Sequence, residues 1–295
     1  MKRSKRKSLT ALTVIVPIMV YFLFFTIPPL ISLFTYSFTD LRISVGTEEF
    51  IGFRNFVNIF KYSEYIRSFG VTMLMAVLLV FFGLVISFFI SLLLNAVKKG
   101  KTFFRALWYI PVLIPMPVIA KLMNIMLFDE GSLNSLLAVF GVAPVKWMES
   151  TFWMYFWIVF LIVWKNIGSN AIIFISGLNG ISKEVYEASE IDGVNRFQKL
   201  WYITLPLLRP IMSFVIINGF IGAMSTFEPV KLISGGGPNT STKTILYMIY
   251  DEAFMNFKQG FAMALSVLVF IIVLIITVIN MFVTDSSLIT GKERD

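Results

Sequence analysis

The segment Val71–Val97 contains no charged residue and consists mostly of large apolar side chains. A run of about 20 such residues is long enough to cross the hydrocarbon core of a bilayer as a helix. An open chain in lipid has to be helical, because every backbone polar group must find its hydrogen-bond partner within the same segment. This one segment therefore commits the chain to a membrane, and other runs share its character.

These runs together predict an all-α polytopic membrane protein with about six transmembrane helices. The predicted spans lie within Leu9–Phe38, Val71–Val97, Ala106–Phe128, Phe152–Leu178, Ile211–Phe227 and Phe261–Val283. The composition agrees, since 57% of the residues are hydrophobic and 14% are charged, whereas an average soluble domain carries about a quarter charged residues. Prolines 111, 115 and 117 interrupt the third span and predict a kink that packs against neighbouring helices.

The segment 1–8, which is rich in lysine and arginine, and the apolar run that follows it resemble a secretory signal peptide. The run is too long for one, and no small-x-small cleavage site ends it, so we expect a retained first span. The predicted organisation is a basic cytoplasmic N-terminus (1–8), a first helix with its outer loop (9–66), a transmembrane domain of five helices (67–283) and a cytoplasmic tail (284–295).

Lysine and arginine residues are distributed unequally between the two sets of connecting segments. With the N-terminus inside, fifteen of them fall on the inner side and eight on the outer side. Because cytoplasmic connections carry the excess of positive charge, we expect both termini in the cytoplasm and the protein in the plasma (inner) membrane of a prokaryote. The net charge of +8 follows from this topology, and no nucleic-acid partner is expected.

The residue types that are absent exclude several classes of function. The chain has no cysteine and no histidine, so it lacks a thiol nucleophile, a thiolate metal site and an imidazole base, and we expect no enzyme. An ion-coupled secondary transporter needs carboxylates within the membrane, but none occurs between Gly70 and Phe128 or in the last three predicted spans. Ion coupling and a non-transporting structural membrane subunit remain the alternatives to the function argued below.

The polar segment 182–206, which we call the elbow, separates the fourth and fifth spans on the predicted cytoplasmic side. Ser182 is placed to cap a first helix over Lys183–Ile191, and Gly193 can adopt the left-handed backbone that ends it. Four acidic residues argue against a helix that lies on anionic lipid. They are Glu184, Glu187, Glu190 and Asp192.

A second short helix is predicted after this glycine. Asn195 and Gln198 have the spacing of a capping box, which marks a helix start. Phe197, Leu200 and Trp201 then share one face at helical spacing. Two amphipathic helices at an angle, one with small residues and one with an aromatic face, are typical of a helix that docks into a groove of a partner protein.

The residue spacing in the elbow resembles the EAA loop of ABC-importer permease subunits. The matching residues are Glu187-Ala188-Ser189, Asp192-Gly193 and Ile203-Thr204-Leu205-Pro206, with Ser189 standing where the family commonly has alanine. Other segments resemble the carbohydrate-uptake branch of the family, of the maltose, multiple-sugar and glycerol-phosphate kind and the first-permease type. They are Gly52–Phe56, Phe104-Arg105 with Ile110-Pro111, Gly131–Asn134, and Ser234–Pro238 with Thr242.

This resemblance implies a type I ABC-importer permease fold and alternating access driven by ATP. The implied partners are a second homologous permease subunit, two ATPase subunits, an extracytoplasmic solute-binding protein and a sugar-type substrate. No cofactor is expected in this chain, since the partner ATPase would bind ATP and magnesium. The residues implied in ATPase coupling are Glu187, Ala188, Ser189, Asp192, Gly193, Phe197, Trp201, Ile203, Leu205 and Pro206.

A lysine at membrane depth points to a substrate pathway. Lys165 lies near the middle of the fourth span, where a charge almost always faces a bundle interior or a water-filled cavity. By resemblance to maltose-type permeases, the residues expected along the pathway are Lys165, Asn166, Ser169, Asn170, Asn218, Gly222, Thr226 and Phe227. Amides beside aromatic faces suit a sugar, and Lys165 points to an anionic one. The alternative for Lys165 is a structural ion pair with Glu228 or with a partner subunit.

Overall fold

The computed structural model describes residue 13 and residues 15–284. Over this part the chain is helical almost throughout, and the extended contacts there are two isolated β-bridges between residues 39 and 50. The predicted all-α class is thereby confirmed. The predicted basic N-terminus, the beginning of the first span at Leu9 and the tail beyond Thr284 lie outside the described residues.

The helices follow the predicted spans with shifted ends. In chain order they are α1 (Ile15–Tyr36), α2 (Arg54–Lys61), α3 (Ser63–Ala96), α4 (Lys101–Leu113), α5 (Met116–Leu127), α6 (Ser132–Val139), α7 (Thr151–Gly180), α8 (Lys183–Ile191), α9 (Arg196–Leu207), α10 (Arg209–Met224), α11 (Ile245–Tyr250) and α12 (Gln259–Thr284). Helices α1, α3, α7 and α12 are each long and apolar enough to cross a membrane.

The third and fifth spans depart from a simple rod. Helices α4 and α5 are long and apolar enough to cross a membrane only when they are taken together. They are bent by 85° relative to each other, so the predicted kink is a complete break. Helix α10 has 16 residues, which at about 1.5 Å per residue is roughly 24 Å, shorter than the ~30 Å hydrocarbon core. It is long enough to span only together with α9, which is bent from it by 67°.

Several helical turns in the described chain are wider π-helical turns. One lies inside α1 at Phe22–Thr26 and another inside α9 at Leu200–Thr204, while Val230–Ser234 and Asp251–Met255 follow α10 and α11. A π-helical turn holds one residue more than an α-helical turn and commonly occurs at functional sites. The turn in α9 places one of them within the elbow.

The chain forms two compact units. One combines the described residues up to Tyr65 with Met248–Phe270, and the other combines Ile66–Tyr247 with the described residues from Ile271 onward. In the first unit, the buried side chain of Asn55 donates hydrogen bonds to the carbonyls of Ser37 and Thr39, at 3.0 and 2.9 Å. The Gly52–Phe56 motif thus fastens the segment that follows α1.

Helix α7 forms the centre of the second unit. Half of the residues in its most apolar stretch are buried. Its residues Met154, Ile158 and Leu161 pack with Met75 of α3 and Val230 of a π-helical turn. Nearer to Gly180 a second cluster consists of Phe88, Phe174, Leu178, Leu208 and Val215. Because α3 and α10 both pack on α7, the side chains between the two clusters are placed to line a common space.

Helices α4 and α7 approach each other at a glycine. A Cβ atom at Gly168 would collide with the carbonyl oxygen of Trp108, so only glycine allows this backbone contact. The close approach brings the broken span directly against α7 at the depth where α7 also lines a cavity.

The Gly131–Asn134 motif fastens the loop between α5 and α7 in the second unit. The Asn134 amide donates to the carbonyls of Asp129 and Val145, both at 3.0 Å. Its oxygen accepts from the Val145 N–H at 3.0 Å and from the Trp147 indole at 2.9 Å. All of these groups are satisfied inside a partly buried turn, which explains an asparagine at this position.

The Gly-Gly-Gly-Pro segment is closed in a similar way by a fully buried threonine. The Thr242 hydroxyl donates to the carbonyl of Gly237 at 2.8 Å and lies 2.7 Å from the Ser234 hydroxyl. These motifs therefore have a structural role in holding the loops at the ends of the spans.

Candidate functional site

The two helices of the elbow form as the sequence predicts. The first helix is confirmed as Lys183–Ile191, and Gly193 has the left-handed φ of +72°. In the capping box, Asn195 Oδ1 accepts from the Gln198 N–H at 2.9 Å and Gln198 Oε1 accepts from the Asn195 N–H at 3.0 Å. Ser182 stands at the N-cap position but makes no capping hydrogen bond, which corrects that detail. Ser182 is exposed, so water can accept hydrogen bonds from the first N–H groups of the helix instead.

Polar contacts brace the bend between α8 and α9. Lys199 Nζ lies 2.8 Å from Glu190 Oε1 and 5.7 Å from the centre of the Tyr186 ring. The Tyr186 hydroxyl is 3.3 Å from the Thr204 hydroxyl, and the buried Ser189 donates to the Tyr186 carbonyl at 2.6 Å. Because Ser189 is enclosed by this bend, the position requires a small side chain. The elbow is therefore a braced unit.

The outer surface of the elbow combines acidic and aromatic side chains. Phe197 and Trp201 are 70% and 54% exposed, and their ring centres are 5.9 Å apart. Leu200 packs instead against the core cluster around Phe174, so the predicted three-residue face is reduced to its two aromatic members. The other predicted coupling residues divide by exposure. Glu187, Ala188 and Asp192 are exposed, whereas Ile203, Leu205 and Pro206 are half-buried.

Lys199→Met is expected to lower the melting temperature at neutral pH but not in acid. The Lys199 ammonium lowers the pKa of the Glu190 carboxyl, first through its hydrogen bond and then through Coulomb attraction. The folded-state pKa is thus below the unfolded value of about 4.3, so the stabilisation is complete above that pH and is lost as the pH falls through the folded value.

The measurement is the melting temperature of nanodisc-embedded wild type and Lys199→Met between about pH 7 and pH 3. The difference should be constant near neutrality and close below about pH 4. Glu190→Gln should show a similar difference from the wild type at neutral pH, and that difference should close over the same acidic range. A difference that stays unchanged down to the lowest pH would contradict the ion pair.

Three helices of the second unit enclose a cavity of about 250 Å³. Helix α7 contributes Asn166 and Asn170, helix α10 contributes Asn218 and Gly222, and helix α3 supplies an apolar and glycine wall. The amides of Asn166 and Asn218 each donate to the carbonyl four residues earlier in their own helix, both at 2.8 Å. The amide oxygen and the second N–H can then bind a hydroxyl group of a ligand. The arrangement suits a neutral polar molecule.

Comparison with known proteins identifies the class of this bundle. Residues 83–285, more than half of the chain, match the family model described as "Binding-protein-dependent transport system inner membrane component". The chain belongs to this family. The predicted resemblance to ABC-importer permeases is confirmed, and the permease is a multi-pass protein of the inner membrane.

Individual relatives match along nearly the whole permease. The multiple sugar-binding transport system permease protein MsmF of Streptococcus mutans is 30% identical and covers 90% of this chain and 91% of its own length. The trehalose/maltose transport system permease protein MalF of Thermococcus litoralis is 29% identical and covers 94% of both. In a crystal structure of a bacterial alginate ABC transporter with an alginate pentasaccharide-bound periplasmic protein, one chain superposes with a TM-score of 0.81 at 23% identity. That match covers 95% of this chain and 96% of that one, and it confirms the fold.

The structure divides the predicted pathway residues of the permease into two groups. Asn166, Asn170, Asn218 and Gly222 line the cavity. The four others are not among its lining residues and make contacts within the permease. The Ser169 hydroxyl donates to the Asn166 carbonyl at 2.9 Å, the buried Thr226 hydroxyl donates to the Gly222 carbonyl at 3.3 Å, and the Phe227 ring packs edge-on against the Tyr247 ring at 5.7 Å. A role of these residues in transport stays a prediction.

Lys165 is the member of this set whose surroundings differ most from the expectation. It does not line the cavity, and the hydrogen bonds of its ammonium go to backbone carbonyls of the broken third span. The ammonium binds these carbonyls in place of Glu228, which was the alternative partner, since an ammonium donor at membrane depth needs acceptors whether or not they are charged.

Sequence reasoning missed the wall that α3 contributes. Leu79 and Gly83 line the cavity opposite the asparagines, and Gly219 of α10 leaves room for Val80 at 3.3 Å from its Cβ position. A signal was present, because Gly83 is the one glycine in the otherwise bulky run Val71–Val97. A glycine inside a transmembrane helix often marks a close approach or a space beside another helix.

Proposed function

We propose that the permease carries a sugar or sugar derivative across the inner membrane by alternating access, driven by a separate ATPase that binds the elbow. The observation that carries this proposal is the elbow itself, a braced two-helix bend with exposed Phe197 and Trp201 beside exposed acidic residues. Amphipathic helices that present aromatic anchors fit a groove on a partner protein. A braced bend transmits a displacement of that partner to α7 and α10, which adjoin its two ends.

The proposed assembly contains a second homologous permease, two ATPase subunits and an extracytoplasmic solute-binding protein. Both termini and the elbow lie in the cytoplasm in this proposal, where ATP and magnesium are bound by the ATPase. Support comes from the family description, which names a binding-protein-dependent system, and from the transporter of similar fold that was crystallised with a periplasmic protein. The permease would not hydrolyse ATP itself.

A sugar is favoured by two independent observations. The names of the relatives refer to multiple sugars and to trehalose and maltose. The cavity between α3, α7 and α10 carries the amides of Asn166, Asn170 and Asn218, and an amide can both donate to and accept from a sugar hydroxyl. Carboxylates that could couple transport to an ion are absent from the sequence of these three helices between residues 70 and 96, 151 and 180, and 209 and 224.

The test is reconstitution of the full transporter with a cognate ATPase, second permease and solute-binding protein. Proteoliposomes containing internal ATP should take up radiolabelled maltose or trehalose, and a protonophore or sodium ionophore should have no effect. Non-hydrolysable ATP analogue is the control and should abolish uptake. Uptake driven by a proton or sodium gradient without ATP would overturn the proposal in favour of an ion-coupled transporter.

A further inference from the structure

The break of the third span creates a hydrogen-bonding problem at membrane depth. Pro115 has no N–H to donate to the carbonyl of Pro111, its partner in a continuous helix, and that carbonyl accepts from the Ile114 N–H at 3.3 Å instead. The N–H of Val118 donates to the Pro115 carbonyl at 3.1 Å, so the Ile114 carbonyl also loses its helical partner. Backbone polar groups without partners are costly in lipid, and non-helical backbone there must be served by other protein groups.

Lys165 of α7 supplies the missing donors. Its ammonium donates to the carbonyls of Ile114 at 2.6 Å, Val112 at 2.8 Å and Pro111 at 3.3 Å. An ammonium has three N–H donors, and here each one has a carbonyl acceptor. The half-helix C-terminus of α4 also has negative dipole character, which favours a cation at this point.

The position of Lys165 connects the break with the cavity. It is the fifteenth residue of the 30-residue helix α7, roughly 21 Å from the start of that helix at about 1.5 Å per residue. Ile162, Val163 and Asn166, all within one turn, line the cavity. One turn further on, Gly168 makes the close backbone approach to Trp108 of α4. Helix α7 thus contacts the broken span at the same level at which it forms the cavity wall.

We propose that Lys165 is a positioning residue, which ties the break between α4 and α5 to α7 so that these three helices move together during transport. The proposal deepens the proposed function, since it rests on alternating access at the cavity. Lys165 acts here on the shape of the site and not on the substrate.

This assignment also bears on substrate choice. An ammonium whose three N–H groups all bind backbone carbonyls has none left for a carboxylate or phosphate of a substrate. The lysine at membrane depth is therefore not a reason to expect an anionic sugar, and the neutral amide lining of the cavity determines the polar contacts.

The experiment measures whether α5 stays fixed to α7. The chain has no cysteine, so Leu122→Cys on α5 and Phe160→Cys on α7, both at exposed positions, can be spin-labelled selectively in an assembled transporter with cysteine-free partners. Pulsed electron paramagnetic resonance then gives the distance distribution between the labels without nucleotide and after trapping with ATP and vanadate.

We expect one narrow distribution that is the same in both states for the parent protein. Lys165→Met should give a distribution about twice as broad, because the carbonyls at the break lose the ammonium that ties them to α7. Lys165→Arg, which keeps the charge and the donors, should restore the parent distribution. Lys121→Met is the matched control, since Lys121 is the other lysine at membrane depth but is exposed on α5, and this variant should resemble the parent.

A parent distance that shifts between the two states, or a Lys165→Met distribution as narrow as the parent, would overturn the proposal. If Lys165→Met does not accumulate in the membrane, Lys165→Arg is measured alone. A narrow distance distribution in that variant supports the positioning role of residue 165, and a broad one contradicts it. The labels report on the helices without any sugar. Failure of the positioning role of Lys165 is thus distinguishable from failure of the proposed function, because the proposed function is tested by ATP-driven uptake in the parent protein.

Discussion

Gly193→Pro is expected to abolish ATP-driven uptake while the permease still inserts into the membrane. Proline fixes φ near −65° and has no N–H, whereas Gly193 has a φ of +72° and donates to the Glu190 carbonyl at 3.1 Å. The bend between α8 and α9 must therefore refold, which separates the acidic helix from the aromatic one. We expect uptake per inserted permease to fall by about 100-fold or more, a change of about 2.8 kcal/mol.

The permease contains a closely matched control for this substitution. Gly141 has a φ of +71°, follows the short helix α6 and donates to the Ala138 carbonyl at 3.0 Å. A Cβ atom at either glycine would meet no atom within 4 Å. Gly141→Pro thus introduces the same backbone strain in a loop outside the elbow, and it should retain uptake. Equal loss in both variants, or co-purification of Gly193→Pro with the ATPase in normal amount, would contradict the coupling role of the elbow.

Gly222→Phe is expected to block transport without harming the fold. Gly222 lines the cavity, and a Cβ atom there meets nothing within 4 Å. The aromatic ring can therefore extend into the cavity of about 250 Å³ and occupy the space beside Asn218 and Asn166. Maltose or trehalose uptake should fall by about 100-fold, about 2.8 kcal/mol, while the ATPase still assembles with the permease.

The control for this variant is Gly70→Phe. Gly70 also lies within a transmembrane helix and has no atom within 4 Å of its Cβ position, but it is outside the cavity lining. Both variants should accumulate to the wild-type level, and only Gly222→Phe should lose uptake. Normal transport by Gly222→Phe would remove the cavity from the pathway.

Local signals in the sequence were sufficient to predict the elbow. The capping box of Asn195 and Gln198 and the left-handed Gly193 act between residues a few positions apart, so their geometry follows from the order of the residues alone. The predicted spans were likewise recovered from apolar runs. Their ends were less accurate, because the first turns of α3, from Ser63 onward, carry charged side chains that hydropathy does not mark.

Long-range contacts account for what the sequence did not predict. The prolines of the third span indicated a kink, but they did not predict an 85° break whose carbonyls bind Lys165 more than 50 residues away. The same lysine was predicted to lie in the substrate pathway from its depth, while its carbonyl acceptors were not evident from the sequence. The contribution of Gly83 to the cavity was missed for a similar reason, since it is defined by α7 and α10.

The π-helical turn Leu200–Thr204 lets α9 hold one residue more without changing the directions of the segments on either side of it. One additional residue in a regular α-helix would instead rotate everything that follows by about 100° about the axis. Deleting one residue from the π-helical turn should therefore return it to α-helical geometry and leave Phe197 pointing to the same side relative to Asn218 and Gly222. The elbow thus tolerates a change of length at this turn that a regular stretch of α9 would not.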